Sequence, residues 1–187
     1  MLRFVVGICE AVSAGIGRTV AWFALVMVLM QFTIVMMRYV FGIGFIFMQE
    51  SLSYLHGFMY LLGAAYTLMV NGHVRVDIFY REASGRTKAW VDLCGTLLLL
   101  FPVCILVIWA SWAQVIGSWD KLEGSTETSG IQAVFLLRTI IPLFAALMIV
   151  QGLAVIARSL LALAGFEDEG HGIAQEKAAR AQAEAEP

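Results

Sequence analysis

The sequence predicts an all-α membrane protein with four transmembrane helices, both termini on the cytoplasmic side, short interfacial segments and a polar C-terminal tail. The first observation behind this is a set of four stretches without formal charge: 19 residues between Arg18 and Arg38, 22 between Glu50 and His73, 27 between Asp92 and Asp120, and 19 between Arg138 and Arg158. A helix rises ~1.5 Å per residue and a hydrocarbon core is ~30 Å thick, so ~20 apolar residues make one crossing. Lipid offers the peptide group no hydrogen bond, which leaves helices as the form such segments take. The second observation is composition: 60% of residues are hydrophobic and 14% charged, with a mean hydropathy of +0.83. Globular domains run ~45–50% apolar and ~25% charged. The third is the placement of basic residues. Arg3, Arg18, Arg75, Arg81, Arg86, Lys88, Arg158, Lys177 and Arg180 fall on one predicted side, and only Arg38, Lys121 and Arg138 on the other. The side richer in Lys and Arg is the cytoplasmic one.

The four helices are placed at about 19–37, 51–71, 92–118 and 139–158, within a membrane domain of residues 1–165. The N-terminal MLRFVVGICEAVSAGIGR has one early Arg, but Glu10 interrupts its apolar run. It is expected to be a retained, partly amphipathic lead-in rather than a cleaved signal. Helix one is apolar apart from Gln31. Gly42 and Gly44 end it, and the apolar Phe45–Met48 piece is expected in the outer interface. Helix two carries a stripe: steps of three and four from Glu50 reach Ser53, Gly57, Tyr60, Ala64, Thr67 and Asn71, all small or polar except the amphipathic Tyr60. In lipid, helices associate through close packing at small residues and interhelical hydrogen bonds. The stripe is therefore the protein-facing side of helix two, whether toward this chain's own helices or toward a partner.

His73 and Asp77 stand four apart and would share a helical face. Thr87 is expected to cap helix three, Trp90 to anchor its inner interface, and Pro102 to kink it. The outer loop around 120–130 is acidic and turn-rich. Residues 166–187 form a polar cytoplasmic tail rich in Ala and Glu, expected to be frayed or disordered in isolation.

Little in this chain suggests chemistry. Ionisable groups at the bilayer centre cost ~2.5–3.5 kcal/mol even on the lenient insertion scale, so those present are functional candidates. Only His56 lies well inside a span, too few for a haem held by two axial ligands. The three cysteines, Cys9, Cys94 and Cys104, form no C-x-x-C and read as free buried thiols. No phosphate-binding glycine loop and no zinc-ligand cluster occurs. No catalytic residue, cofactor or metal site is expected, and the net charge of −2 argues against a nucleic-acid partner.

RYVFG (38–42) after helix one, Glu50 opening helix two, LLGAAY (61–66) within it and NGHVRVDIF (71–79) at its inner end occur in order. They resemble the small permease (Q-type) subunit of tripartite ATP-independent periplasmic (TRAP) transporters. SWDKLEGSTETSGI (118–131) and IPLFAALMIVQGLA (141–154) resemble one branch of that family. The likeness covers about residues 15–160, and Gly72-His73-x-x-x-Asp77 is its most specific piece.

The resemblance implies a multi-pass subunit of the bacterial inner membrane that braces the immobile scaffold of a large multi-helix permease. That permease would carry the sodium and substrate sites and move as an elevator. A soluble periplasmic substrate-binding protein would deliver an organic anion such as a carboxylate, and an ion gradient would drive uptake. On this reading Glu50, Ser53, Gly57, Tyr60 and Ala64 face the permease or the bundle contact that positions it. Arg38 pairs with Glu50 and His73 with Asp77 to fix helix positions or contact partners, and Asp120, Glu123 and Glu127 are candidate contacts for the binding protein. Two other readings of the residues stay open: an autonomous homo-oligomeric transporter, and a membrane assembly protein unrelated to transport.

Overall fold

The computed structural model describes residues 2–73 and 83–164; Asp77 and the tail expected over 166–187 lie outside them. The described residues are helical with no strand: α1 (Leu2–Val40), α2 (Ile46–Met69), α3 (Gly85–Gly95), a π-helical segment (Thr96–Leu100), α4 (Phe101–Asp120) and α5 (Val134–Leu163). Three runs are long and apolar enough to cross a membrane: α1, the continuous stretch Gly85–Asp120, and α5. Helix α2 is long enough at 24 residues, but Gln49, Glu50, Ser51, Ser53 and His56 dilute its apolar content, and it is not among the three.

Helix α1, the run Gly85–Asp120 and α5 extend past their charge-free stretches at both ends, whereas α2 extends past its own only at the N-terminus and stops at Met69. The lead-in is one with α1, and of the Phe45–Met48 piece, Ile46–Met48 form the first turn of α2. Ser84, not Thr87, is the N-cap of α3: its side chain accepts from the Thr87 N–H at 3.3 Å, which satisfies one of the orphan donors of the first turn. Ahead of Pro102 the chain forms a π turn. Proline has no N–H and its ring crowds the carbonyl four residues back, that of Leu98. The wider turn, seen in the Phe101 N–H bonded to the Thr96 carbonyl, gives that carbonyl room.

Two helices close with the same hydrogen-bond pattern. At the end of α2, the Gly72 N–H bonds the Thr67 carbonyl at 2.8 Å and the Asn71 N–H bonds Leu68 at 3.3 Å. At the end of α4, the Glu123 N–H bonds Ser118 at 2.9 Å and the Leu122 N–H bonds Trp119 at 3.1 Å. Both are Schellman motifs, whose pivot takes a left-handed conformation. The pivots are Asn71 (φ 54) and Leu122 (φ 45). Asn tolerates that region; a leucine is strained there.

The chain divides into two compact units: Met1–Ala14 with Ala65–Cys104 and Leu147–Pro187, and Gly15–Ala64 with Ile105–Ala146. In the first, the buried residues include the small Ala65, Ala89, Ala154 and Ala157, the polar Glu10, Ser13, Thr96, Gln151 and Ser159, and the larger apolar Met69, Leu93, Leu147 and Met148. Gly152 lets α5 approach the π turn closely; a Cβ on it would lie 2.6 Å from Phe101 Cε1 and 3.0 Å from Leu100 Cδ2. Fully buried Gln151 receives the Ser13 hydroxyl at 2.8 Å, and Arg158 Nη1 reaches Glu10 Oε1 at 3.4 Å. In the second unit the core is Val20, Ser111, Val115, Ser118, Ile140 and Ala145.

Many large apolar side chains also lie outward, among them Trp22, Val28, Leu98 and Trp109. Such outward exposure follows when lipid is the solvent, because apolar side chains gain nothing by leaving it, while small and polar ones favour close packing and hydrogen bonds. Cys9 and Cys104 are buried free thiols as expected, whereas Cys94 is exposed.

Candidate functional site

The densest polar arrangement in the second unit joins the start of α2 to the loop between α4 and α5. Glu50 is the fifth residue of α2, ahead of the 51–71 stretch. Its Oε1 accepts from Ser125 Oγ at 2.5 Å and its Oε2 from the Ile131 N–H at 2.6 Å. One carboxylate therefore holds both limbs of a loop 75 and 81 residues away in sequence. Both bonds favour the ionised form, Ser125 foremost and then Ile131, and they hold the Glu50 carboxyl below the ordinary carboxylate range against a smaller opposing effect of burial.

The loop is closed on itself around this anchor. The Ser125 N–H bonds the Ile131 carbonyl at 3.2 Å, and the Gly130 N–H bonds Glu127 at 3.0 Å. Glycine is required at 130 for space: a Cβ there would lie 2.6 Å from each Glu50 carboxylate oxygen. Below the loop, Glu123 accepts from Arg138 Nη2 at 2.6 Å. Trp119 Nε1 donates to Thr139 Oγ1 at 2.9 Å, and its ring meets that of Phe135 edge-on at 4.7 Å between centroids. The clasp thus presents a shaped, acidic loop whose exposed residues include Asp120 and Glu127.

The expected site residues are distributed differently from the sequence reading. Glu50 is held by Ser125 and Ile131 rather than by Arg38, and Arg38 is exposed with no hydrogen bond or ion pair among the described residues. Gly57 faces α5, with a Cβ position 3.2 Å from Leu137 Cδ1. It is a packing residue of this chain. Ala64 is half-buried, whereas Ser53 is exposed and Tyr60 is 70% exposed. Glu123 is held by Arg138. His73 is exposed, and its expected partner Asp77 lies outside the described residues.

A different edge of α2 is open. Gln49, Ser53, His56 and Tyr60 follow each other at steps of four, three and four, and all four are exposed. The His56 and Tyr60 rings stack at 6.0 Å with 10° between planes. Among the described residues none of these four side chains makes a hydrogen bond. His56, read from the sequence as the lone intramembrane ionisable group, belongs to this edge. The Glu10–Arg158 pair was also missed. Its signal was available in an acid that interrupts the first apolar run and a cation that closes the last.

No group of three or more His, Cys, Asp or Glu able to hold a metal ion occurs among the described residues. What the geometry offers is a braced loop and an unpartnered polar helix edge. The family model for tripartite ATP-independent periplasmic transporters, DctQ component, matches residues 8–162. Comparison with curated proteins and with solved structures gives no match.

Proposed function

Because the chain belongs to the DctQ component family and is thus the small membrane subunit of a TRAP transporter, we propose that it braces the scaffold of a large multi-helix permease. The family is one of transporter components rather than enzymes. In this reading α2 is the fourth crossing, both termini face the cytoplasm, and the protein resides in the bacterial inner membrane. The permease works with a periplasmic substrate-binding protein, and sodium-coupled uptake delivers an organic anion such as a carboxylate.

The observation that carries the bracing role is the open edge of α2. A helix in lipid that displays Gln49, Ser53, His56 and Tyr60 without hydrogen bonds leaves donors and acceptors with no solvent to satisfy them. A partner helix with matching polar groups would cover them, which moves the proposed interface off Gly57 and onto its neighbouring face. Asp120 and Glu127, on the loop anchored by Glu50, are the proposed contacts for the binding protein.

The test is recovery of partners on a tagged copy in mild detergent. The wild-type chain should bring down a large multi-helix permease in near-stoichiometric amount. Ser53→Leu with His56→Leu should keep this chain folded in the membrane while recovering less permease. Unchanged recovery would exclude this edge as the interface, and recovery of the wild-type chain alone would sink the tripartite reading.

A further inference from the structure

The C-terminal part of α1 and the start of α2 line an open groove of about 350 Å³ in the second unit, and its lining is chemically divided. Ile34, Val35 and Leu52 supply an apolar wall; Arg38, Gln49, Tyr39 and Gln31 supply donors. Gln31, Val35 and Arg38 lie at steps of four and three, so one face of α1 carries this wall toward its last turn. Arg38 sits in that last turn. The acid that the sequence offers it, Glu50, is committed to Ser125 and Ile131. Arg38 therefore presents a full positive charge with no ion pair or hydrogen bond among the described residues, beside an apolar wall.

An unpaired guanidinium at the end of a membrane span lies where lipid phosphates lie. Its planar fork of donors matches phosphate oxygens, often two at a time. Tyrosine is the residue that settles at headgroup depth. A free anion would use Arg38 and the amides but would leave Ile34, Val35 and Leu52 without purpose; a phospholipid uses both halves.

We propose that this groove is a phospholipid site, with the phosphate held by Arg38 and Gln49 and an acyl chain lying against Ile34, Val35 and Leu52. The site rests on α1 being embedded in a membrane and not on the identity of any partner subunit. Arg38 then has its counter-charge without Glu50, and the rim of the exposed α2 edge is filled at Gln49.

The experiment is native mass spectrometry of the tagged chain, purified in mild detergent with whatever accompanies it. It compares wild type, Arg38→Ala, Arg38→Lys and Val35→Trp, each stripped of lipid and then titrated with phosphatidylglycerol or with inorganic phosphate. Wild type should hold one phosphatidylglycerol and Arg38→Ala should bind about fivefold more weakly, the loss expected for one basic residue at a lipid surface. Arg38→Lys should bind between the two. Val35→Trp, which fills the wall and leaves the charge, should also bind less. No bound lipid on the wild type, or equal retention by Arg38→Ala and Val35→Trp, would overturn the site. Displacement of the lipid by millimolar phosphate would make it a free-anion site instead. Lipid retained but permease lost in Arg38→Ala would assign Arg38 to a protein contact. Loss of permease from wild type with the lipid still present would leave this site standing and count only against the tripartite reading.

Discussion

Glu50 shows how much one side chain organises, and its titration gives the sharpest test at the residue scale. Its folded pKa lies below the ordinary value because Ser125 and Ile131 bond the carboxylate form. A group depressed in this way stabilises fully above its unfolded pKa, about 4.3 for Glu, and loses that contribution as pH falls through the lower folded value. The loop should therefore stay anchored at neutral pH and release only as pH falls below the ordinary carboxylate range, read as faster amide exchange at Ile131. Glu50→Gln should reproduce the release at neutral pH in part, because an amide still accepts one bond; Gly130→Ala should do so by crowding the carboxylate. Unchanged protection of Ile131 in both variants would show that the loop holds itself. Glu10 and Arg158 form the other residue-scale device. Both side chains are nearly buried at 6% and 12% exposure. Truncating either alone, as in Arg158→Leu, should destabilise the protein, because a nearly buried charge loses the partner it holds at 3.4 Å. The double replacement Glu10→Leu with Arg158→Leu should recover much of the lost stability, measured by thermal unfolding in detergent. Strictly additive losses would mean that the two charges do not act as a pair.

Helix ends and turns decide where the elements stop, and here the chain departs from what local preference favours. Leu122 is the pivot of the Schellman motif that closes α4, at φ 45, and its side chain is 65% exposed, so no packing repays the strain. A left-handed conformation costs a non-glycine residue roughly 1–2 kcal/mol. Leu122→Gly should therefore stabilise the end of α4 by about 1 kcal/mol, after some loss to the greater freedom of glycine in the unfolded chain, seen as a higher midpoint in a detergent melt. A lower midpoint would show that the leucine side chain contributes something its exposure does not reveal. The π turn is the opposite case, a departure that relieves a conflict. Pro102 demands space four residues back, and Gly152 lets α5 close onto the widened turn. Proline and glycine are legible one by one in the sequence, but their joint use is set by packing between segments about 50 residues apart.

At the scale of the whole molecule, the prediction concerns which side each loop occupies. On the proposed topology, argued from the basic-residue asymmetry, His73 and the termini lie inside and the Glu50-anchored loop outside. In a background lacking the native cysteines, Thr126→Cys should react with a membrane-impermeant maleimide in intact cells, and His73→Cys only after lysis. The reverse pattern would invert the topology; labelling of both from outside would remove α2 as a crossing. That last outcome bears directly on α2, whose polar content keeps it out of the set of spans recognisable by apolarity alone. A helix that crosses beside a partner tolerates such residues because the partner, not lipid, surrounds them.

The sequence by itself determined the solvent and the family. Long charge-free stretches require helices in lipid whatever surrounds them, and ordered motifs from Arg38 to Ala154 place the chain among TRAP small subunits. It also showed that helix two has a polar character. Only the tertiary structure decided which edge is open. Steps of three and four name the residues on a face, but they do not say which neighbouring element lies opposite. That is why Gly57 proved to meet Leu137 while His56 and Tyr60 turned outward. The partners of Glu50, Glu10 and Ser13 were equally out of reach of local pattern. A hydrogen bond forms wherever folding delivers its acceptor, and here the partners come from 75 to 148 residues away.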